Sequence, residues 1–187
     1  MAAVHDGHRI CPHADRPGQG LHKFSGVTAT VCQLRPESRG SLWAASADPA
    51  TAPKIVSNYL AAELDRQVLL DGMKLVRRAT SQPAFAKFVL REHLPGTSVT
   101  SDEALMAYAR GYATTVFHPC GTCKMGSDPN AVVDSRLRVH GIAGLRVADA
   151  SIMPTMTSGN TNAPAIMIGE KAADMIRQDA RAGAKAA

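Results

Sequence analysis

Residues 118–162 constrain the fold of this chain most strongly. Gly, Pro, Asp, Asn and Thr are frequent there, and only Val132-Val133 and the segment LRVADA supply short apolar runs. Gly and Pro at this density disfavour long helices and strands. Irregular segments of this length are usually disordered or functional, and the interspersed apolar residues argue against disorder. We therefore predict an ordered, irregular segment that carries functional residues.

Regular elements are predicted on both sides of this segment. Residues 26–34 (GVTATVCQL) alternate in polarity and precede the turn-rich RPESRG and then SLWAAS (41–46), which predicts an antiparallel pair of strands. Helical spacing of apolar residues predicts a helix within 55–80, with Asp65 and Arg66 facing solvent. Further helices are predicted at 83–94 and at 101–116, the latter capped by Ser101 or Asp102. The last helix is predicted with Asn162 as its cap and Pro164 in its first turn, followed by a loose tail at 181–187.

Charge and composition exclude several classes of protein. The net charge of +5 is spread along the chain without basic runs, which disfavours a nucleic-acid partner. The N-terminal residues lack a signal-peptide core, and no segment is apolar over the length that a membrane helix needs. These features indicate a cytoplasmic protein, in which the four cysteines stay reduced.

The segment HPCGTCKMG (118–126) has three interpretations. A zinc site would use His118, Cys120 and Cys123, but structural zinc normally has four ligands, and His140 is the later candidate. A redox dithiol would need a helix directly after its first cysteine, where Gly and Pro follow instead. In the third interpretation, His118 is a general base and the cysteines are partly buried fillers. A structural core histidine remains the alternative.

The segment TSGNTNAP (157–164) precedes the last predicted helix. A helix N-terminus exposes unpaired N–H groups and a partial positive charge, so it suits an anionic ring edge or a phosphate. Asn160 and Asn162 add directed hydrogen-bonding groups. Helix capping alone also explains Asn and Thr at these positions.

Three blocks in the same order give this chain a family resemblance: HPCGTCKMG, AVVDSRLRVHGIAGLRVADASIMP and SGNTNAPAIMIGEKAADMI. They closely resemble the C-terminal signature of the glucose-methanol-choline (GMC) family of FAD-dependent oxidoreductases, especially its choline dehydrogenase-like branch. The earlier segment 34–60 is similar to the family's substrate-domain strands and the following loop. The resemblance extends from about Gly18 to Ile176.

The resemblance implies a role for individual positions. His118 matches the active-site base that removes the hydroxyl proton of an alcohol, while hydride leaves for the flavin. Asn160 matches the partner position that hydrogen-bonds the substrate oxygen. The remaining matched positions bind the cofactor in the family, near the ribityl and phosphate part or the pyrimidine edge of FAD: Asp149, Ala150, Thr161, Asn162 and Pro164. The resemblance implies no metal.

The resemblance also implies the fold and the domain organisation. It implies an α+β chain, with an antiparallel sheet backed by helices and a C-terminal strand and helix that would complete an FAD-binding domain. The predicted parts are a disordered segment at 1–17, a substrate-domain part at 18–117, and a flavin-facing part at 118–187.

Family members are longer and begin with a Gly-rich dinucleotide-binding turn, whereas this sequence has no Gly-x-Gly-x-x-Gly after a strand. The implied function is therefore that of a C-terminal portion, which oxidises a primary alcohol to an aldehyde together with an N-terminal FAD-binding half. A catalytically inactive remnant or binding module is the alternative from a different class.

Overall fold

The computed structural model describes residues 2–4, 22 and 24–186, with side chains described for residues 22 and 24–182. Residues 5–17 of the segment predicted to be disordered lie outside this part of the chain. In chain order the elements are β1 (Ala2–Val4), β2 (Gly26–Val27), β3 (Ser41–Trp43), β4 (Lys54–Val56), α1 (Glu63–Thr80), α2 (Pro83–Ala86), β5 (Val89–Glu92), α3 (Asp102–Tyr112), a 3-10 helix (Ala150–Ile152) and α4 (Asn162–Ala186). None of the described helices has the length and apolar character needed to span a bilayer.

The chain divides into two structural units. The first contains residues up to Gln33 together with Leu60–Thr115, and the second contains Leu34–Tyr59 and the chain from Val116 onward. The chain contains both helices and small antiparallel sheets, which confirms the predicted α+β fold class. The predicted domain boundaries at 18–117 and 118–187 stay a prediction.

The first unit combines a three-stranded sheet with α1, α2 and α3. Strand β1 lies between β2 and β5 and is antiparallel to both. Helix α3 begins as predicted, because the Ser101 hydroxyl accepts a hydrogen bond from the N–H of Ala104 at 3.2 Å. Its buried face packs with α1 in a small apolar core: Leu70, Leu105, Met106 and Ala109.

Two predictions for α1 are wrong. Asp65 is buried instead of facing solvent, and Leu64 and Leu75, two of the apolar residues whose spacing predicts the helix and its apolar stripe, are exposed. The buried side of the helix is displaced by about one residue from the predicted stripe, because Leu70 packs toward α3. Tertiary packing, which periodicity alone does not specify, therefore selects the buried face.

The predicted strand pair and the predicted helix at 83–94 are also wrong. β3 pairs with β4, with Ser41 opposite Val56, and β2 pairs with β1. Val31 instead packs on α1, where a Cβ added at Gly72 would lie 2.3 Å from its methyl carbon. The helix ends at Ala86 because the following apolar residues pair as β5 with β1.

Arg77 of α1 holds the loop after β5 in the first unit. Its Nε and Nη2 donate to the Glu92 carboxylate at 3.0 and 2.7 Å. The same guanidinium donates to the carbonyls of Gly96 and Val99 at 3.1 and 2.7 Å. Because both partners are largely shielded from solvent, this fork fixes the loop more firmly than an exposed ion pair would.

The second unit confirms the prediction of an ordered, irregular segment. Between Val116 and Asp149 the described residues form isolated bridges instead of strands, including one between Arg138 and Arg146 in place of the predicted LRVADA strand. The segment is nevertheless built around an apolar core to which α4 contributes: Val133, Leu137, Ile152, Met153, Ile168 and Ala172. This core fixes the loops that flank α4.

Helix α4 begins at Asn162 with Pro164 in its first turn, as predicted. Thr161, and not Asn162, occupies the position before the helix, and its carbonyl accepts from the N–H of Ala165 at 2.9 Å. The helix continues to Ala186, so the prediction of a loose tail is wrong for residues 181–186. Tail residues such as Ala and Lys are good helix formers, which explains the continuation.

Asp134 anchors the loop that turns back toward α4. One carboxylate oxygen accepts from the N–H groups of Arg136 and Arg138 at 2.8 and 2.9 Å, and the other accepts from Arg138 Nε at 2.8 Å. The Arg138 backbone hydrogen bond is the main cause that lowers the pKa of Asp134 to about 2, with partial burial opposing it. Leu137, in the same loop, has a φ of 64°.

We expect Asp134→Ala to destabilise the second unit by about 1–2 kcal/mol, because two backbone N–H groups lose their acceptor. Since the folded-state pKa is lowered, the wild-type contribution is complete above about pH 4 and is lost as the pH falls toward about 2. Thermal melts between about pH 4 and about pH 2 measure this loss of stability. Asp134→Asn keeps an acceptor without titrating there, so equal acid sensitivity in wild type and Asp134→Asn would contradict this assignment.

Candidate active site

Backbone hydrogen bonds fix the loop that follows His118. It runs beside the 3-10 helix, and N–H groups of the loop donate to three successive carbonyls: Gly121 to Ala150 at 3.4 Å, Cys123 to Ser151 at 2.9 Å, and Met125 to Ile152 at 2.8 Å. The predicted flavin-facing segment at Asp149 and Ala150 and the predicted base therefore belong to one hydrogen-bonded substructure. Sequence spacing alone does not reveal this pairing.

Two unusual backbone conformations shape this loop. Gly121 has a φ of 86°, and a Cβ at this position would lie only 3.1 Å from the carbonyl oxygen of Met153. Phe117 has a φ of 61°, which is rare and costly for a bulky residue. Such strained residues cluster at functional sites. The strain at Phe117 lies directly before the candidate base.

His118 is half-buried and contacts the residue before α4. Its Nδ1 lies 2.9 Å from the Thr161 hydroxyl oxygen and 3.4 Å from the Thr161 backbone nitrogen. Thr161 is buried, with 8% of its surface exposed. The contact joins segments 43 residues apart in sequence and leaves the other ring nitrogen, Nε2, for chemistry. It also brings His118 to the residue adjacent to Asn160.

The start of α4 presents polar groups near this contact. The first-turn N–H groups of Asn162 and Ala163 have no intrahelical acceptor, and Pro164 has no N–H. Ser158, with a φ of 60°, has a buried hydroxyl without a hydrogen-bond partner among the described residues. A buried polar atom of this kind fits a polar ligand atom. No sequence pattern predicts that the Ser158 hydroxyl is buried.

Two other predicted site residues, Asn160 and Asp149, make no side-chain contact with His118 in the described part of the chain. Asn160 is exposed. Asp149 precedes the 3-10 helix, where its Oδ1 accepts from the N–H of Ser151 at 2.7 Å. Its Oδ2 has no partner among the described residues, so it can accept a hydrogen bond from a ligand hydroxyl.

The two cysteines of the His118 loop, Cys120 and Cys123, are half-buried. Burial raises the pKa of the Cys120 thiol, with Arg39 opposing this effect, so the thiol stays protonated at neutral pH. Cys120 and Cys123 are free thiols. No group of three or more His, Cys, Asp or Glu side chains suited to a metal ion occurs among the described residues.

Two hollows of about 480 and 330 Å³ lie in the first unit. Their walls include Arg77, Thr80 and Val89, and none of the predicted site residues lines either hollow. The candidate site is defined by side-chain contacts in the second unit.

The sequence matches a known family model over the region that contains the candidate site. The family model described as GMC oxidoreductase matches residues 36–169, which include the His118 loop, the 3-10 helix and the start of α4. The chain belongs to the GMC oxidoreductase family. This confirms the resemblance stated from the sequence.

Relatives of known name support the same family. An oxygen-dependent choline dehydrogenase from Escherichia coli O139:H28 (strain E24377A / ETEC) is 48% identical over 160 residues, which cover 86% of this chain and 29% of that protein. Pyridoxine 4-oxidase from Mesorbium loti matches with a TM-score of 0.73 and 34% identity over 78% of this chain and 28% of that one. An FAD-dependent oxidoreductase from Chaetomium thermophilum matches with a TM-score of 0.75 and 33% identity over 79% of this chain and 26% of that one.

These relatives are much longer than the chain. The chain spans less than a third of the curated and solved relatives that it matches. Their names describe oxidoreductases, one of them FAD-dependent, which supports the family cofactor implied by the resemblance.

Proposed function

We propose that this chain acts as the C-terminal portion of an FAD-dependent GMC oxidoreductase that converts a primary alcohol, choline or a similar one, to an aldehyde. The contact between His118 and Thr161 carries this proposal. It holds a proton acceptor beside Asn160 at the start of α4. The two residues implied as base and oxygen ligand thus lie on segments that the fold joins.

The residues present fit an FAD. The helix start offers the N–H groups of Asn162 and Ala163 and a partial positive charge to the pyrimidine edge, next to the implied cofactor-binding residues Thr161 and Pro164. Asp149, followed by Ala150, offers a carboxylate oxygen to a ribityl hydroxyl. The buried Ser158 hydroxyl supplies one further polar group. A bound FAD would supply the acceptor for the hydride that leaves the carbinol carbon.

His118 and Asn160 have separate roles in this reaction. Nε2 of His118 takes the hydroxyl proton of the alcohol, because Nδ1 is already engaged by Thr161. The Asn160 amide donates a hydrogen bond to the substrate oxygen as it becomes negatively charged. Asn160 does not titrate, so proton transfer belongs to His118 alone.

The chain spans 29% of the choline dehydrogenase, so in this proposal the rest of the active site lies outside the residues of this chain. We propose that an N-terminal FAD-binding half provides it. Exposed apolar side chains on α4, at Ile166, Met167 and Ile176, support this partner because such residues are normally covered. The second candidate is a catalytically inactive remnant or binding module, which is favoured by the exposed position of Asn160, whose side chain makes no contact with His118 in the described part of the chain. A cytoplasmic location stays a prediction from the sequence.

A chimera separates these two candidates. The matching C-terminal part of an oxygen-dependent choline dehydrogenase is replaced by this chain, and FAD content and choline-dependent dye reduction are measured. We expect bound FAD and turnover. A folded, FAD-loaded chimera without turnover would favour the remnant. The isolated chain with added FAD serves as a control, and turnover by it alone would contradict the need for a partner.

A further inference from the structure

The buried hydroxyl of Thr161 is unusual for a residue at a helix N-cap. Such a hydroxyl normally accepts a hydrogen bond from the N–H of the second or third helical residue. The third residue of α4 is Pro164, which has no N–H. In the described part of the chain, the hydroxyl contacts Nδ1 of His118 at 2.9 Å. Its oxygen is therefore available to accept a hydrogen bond from the imidazole.

Two groups of Thr161 compete for the same ring nitrogen. The backbone N–H can only donate, so it favours an unprotonated Nδ1 and places the ring proton on Nε2. The hydrogen bond that it donates is long, with 3.4 Å between the Thr161 nitrogen and Nδ1, whereas the hydroxyl oxygen lies 2.9 Å from Nδ1 and makes the closer contact. The hydroxyl can accept as well as donate. Pro164 removes one of the two capping N–H groups, and among the described residues the other, Ala163 N–H, makes no hydrogen bond to this oxygen.

We propose that Thr161 is a positioning residue that holds the proton of neutral His118 on Nδ1. Nε2 then keeps its lone pair, which is the form that a general base requires. This inference deepens the proposed function, because it rests on His118 acting as the base. Pro164 contributes by removing one of the two N–H groups that could engage the hydroxyl.

His140 provides an internal standard for this tautomer. Its Nε2 lies 3.0 Å from the carbonyl oxygen of Gly126, which can only accept, so neutral His140 must carry its proton on Nε2. His118 and His140 are thus expected in opposite tautomers within the same molecule. Neutral imidazole in water favours the Nε2–H form, so an Nδ1–H signal at His118 reports a specific partner.

The test is nuclear magnetic resonance of the full chain labelled with ¹⁵N and ¹³C in histidine, at alkaline pH where imidazoles are neutral. The ring nitrogen and Cδ2 shifts identify each tautomer, and His118→Gln assigns the signal. We expect the Nδ1–H form at His118 in wild type and in Thr161→Ser. In Thr161→Val only the backbone N–H remains, so we expect the Nε2–H form.

Unchanged His140 shifts in Thr161→Val would show that the unit stays folded. If that variant does not fold, wild type and Thr161→Ser still decide the matter. An Nε2–H signal at His118 in wild type, or the same tautomer in folded Thr161→Val, would overturn the positioning role. Turnover of choline by the chimera is a separate readout, so failure of this inference and failure of the proposed function are distinguishable.

Discussion

His118→Gln in the choline dehydrogenase chimera is expected to lower choline turnover by about 10²–10⁴-fold, the range that a positioned general base contributes. Glutamine has a similar length and can hydrogen-bond Thr161, but it cannot take the hydroxyl proton. The loss should appear in kcat more than in KM, because the interaction develops as the proton moves. Dye-coupled steady-state rates at saturating choline measure it.

The matched control is His140→Gln, the same substitution in the same unit. His140 is exposed and contacts the Gly126 carbonyl, which a glutamine amide can also reach. We expect this variant to turn over choline within about twofold of the parent chimera, in keeping with a surface substitution. Equal losses in the two variants, with FAD content unchanged, would remove His118 from the chemistry.

Ile168→Ala is expected to destabilise the second unit by about 2–5 kcal/mol, because a buried isoleucine is replaced and a cavity remains. Ile168 is 5% exposed and packs in the core that holds the irregular segment. The neighbours that lose contact include Val133 and Ile152. Urea unfolding of the isolated chain, followed by circular dichroism of α4, measures the change in the free energy of unfolding.

Ile166→Ala makes the same chemical change on the same helix at a position that is 61% exposed. Helix propensity changes equally in both variants, so the difference between them isolates burial. We expect Ile166→Ala to stay within about 0.5 kcal/mol of wild type. Similar losses for the two substitutions would contradict the assigned core of the second unit.

The sequence predicts the start of α3 and the presence of α4 well. Ser101 caps α3 as expected, and Pro164 lies in the first turn of α4. These features depend on residues close in sequence, whose hydrogen bonds form locally. The strand pairs were not predictable in this way, since β5 pairs with β1 across a long stretch of chain. Periodicity also failed to show that Asp65 is buried.

The same distinction between local and long-range features applies to the candidate site. Local motif and family resemblance single out His118, Asn160 and Thr161, but they assign Thr161 to the cofactor. Its hydroxyl contact with His118 spans 43 residues and follows from packing of the second unit. The absence of an N–H at Pro164 was visible in the sequence. Its consequence for Thr161 required the structure.

The most direct test of the central claim is anaerobic single-turnover reduction of the flavin in the chimera, followed by loss of the oxidised flavin absorbance after mixing with choline. We expect choline to reduce the flavin of the parent chimera, and reduction in His118→Gln to be at least about 10²-fold slower. Reduction at the parent rate in FAD-loaded His118→Gln would contradict the claim that this chain supplies the base for alcohol oxidation.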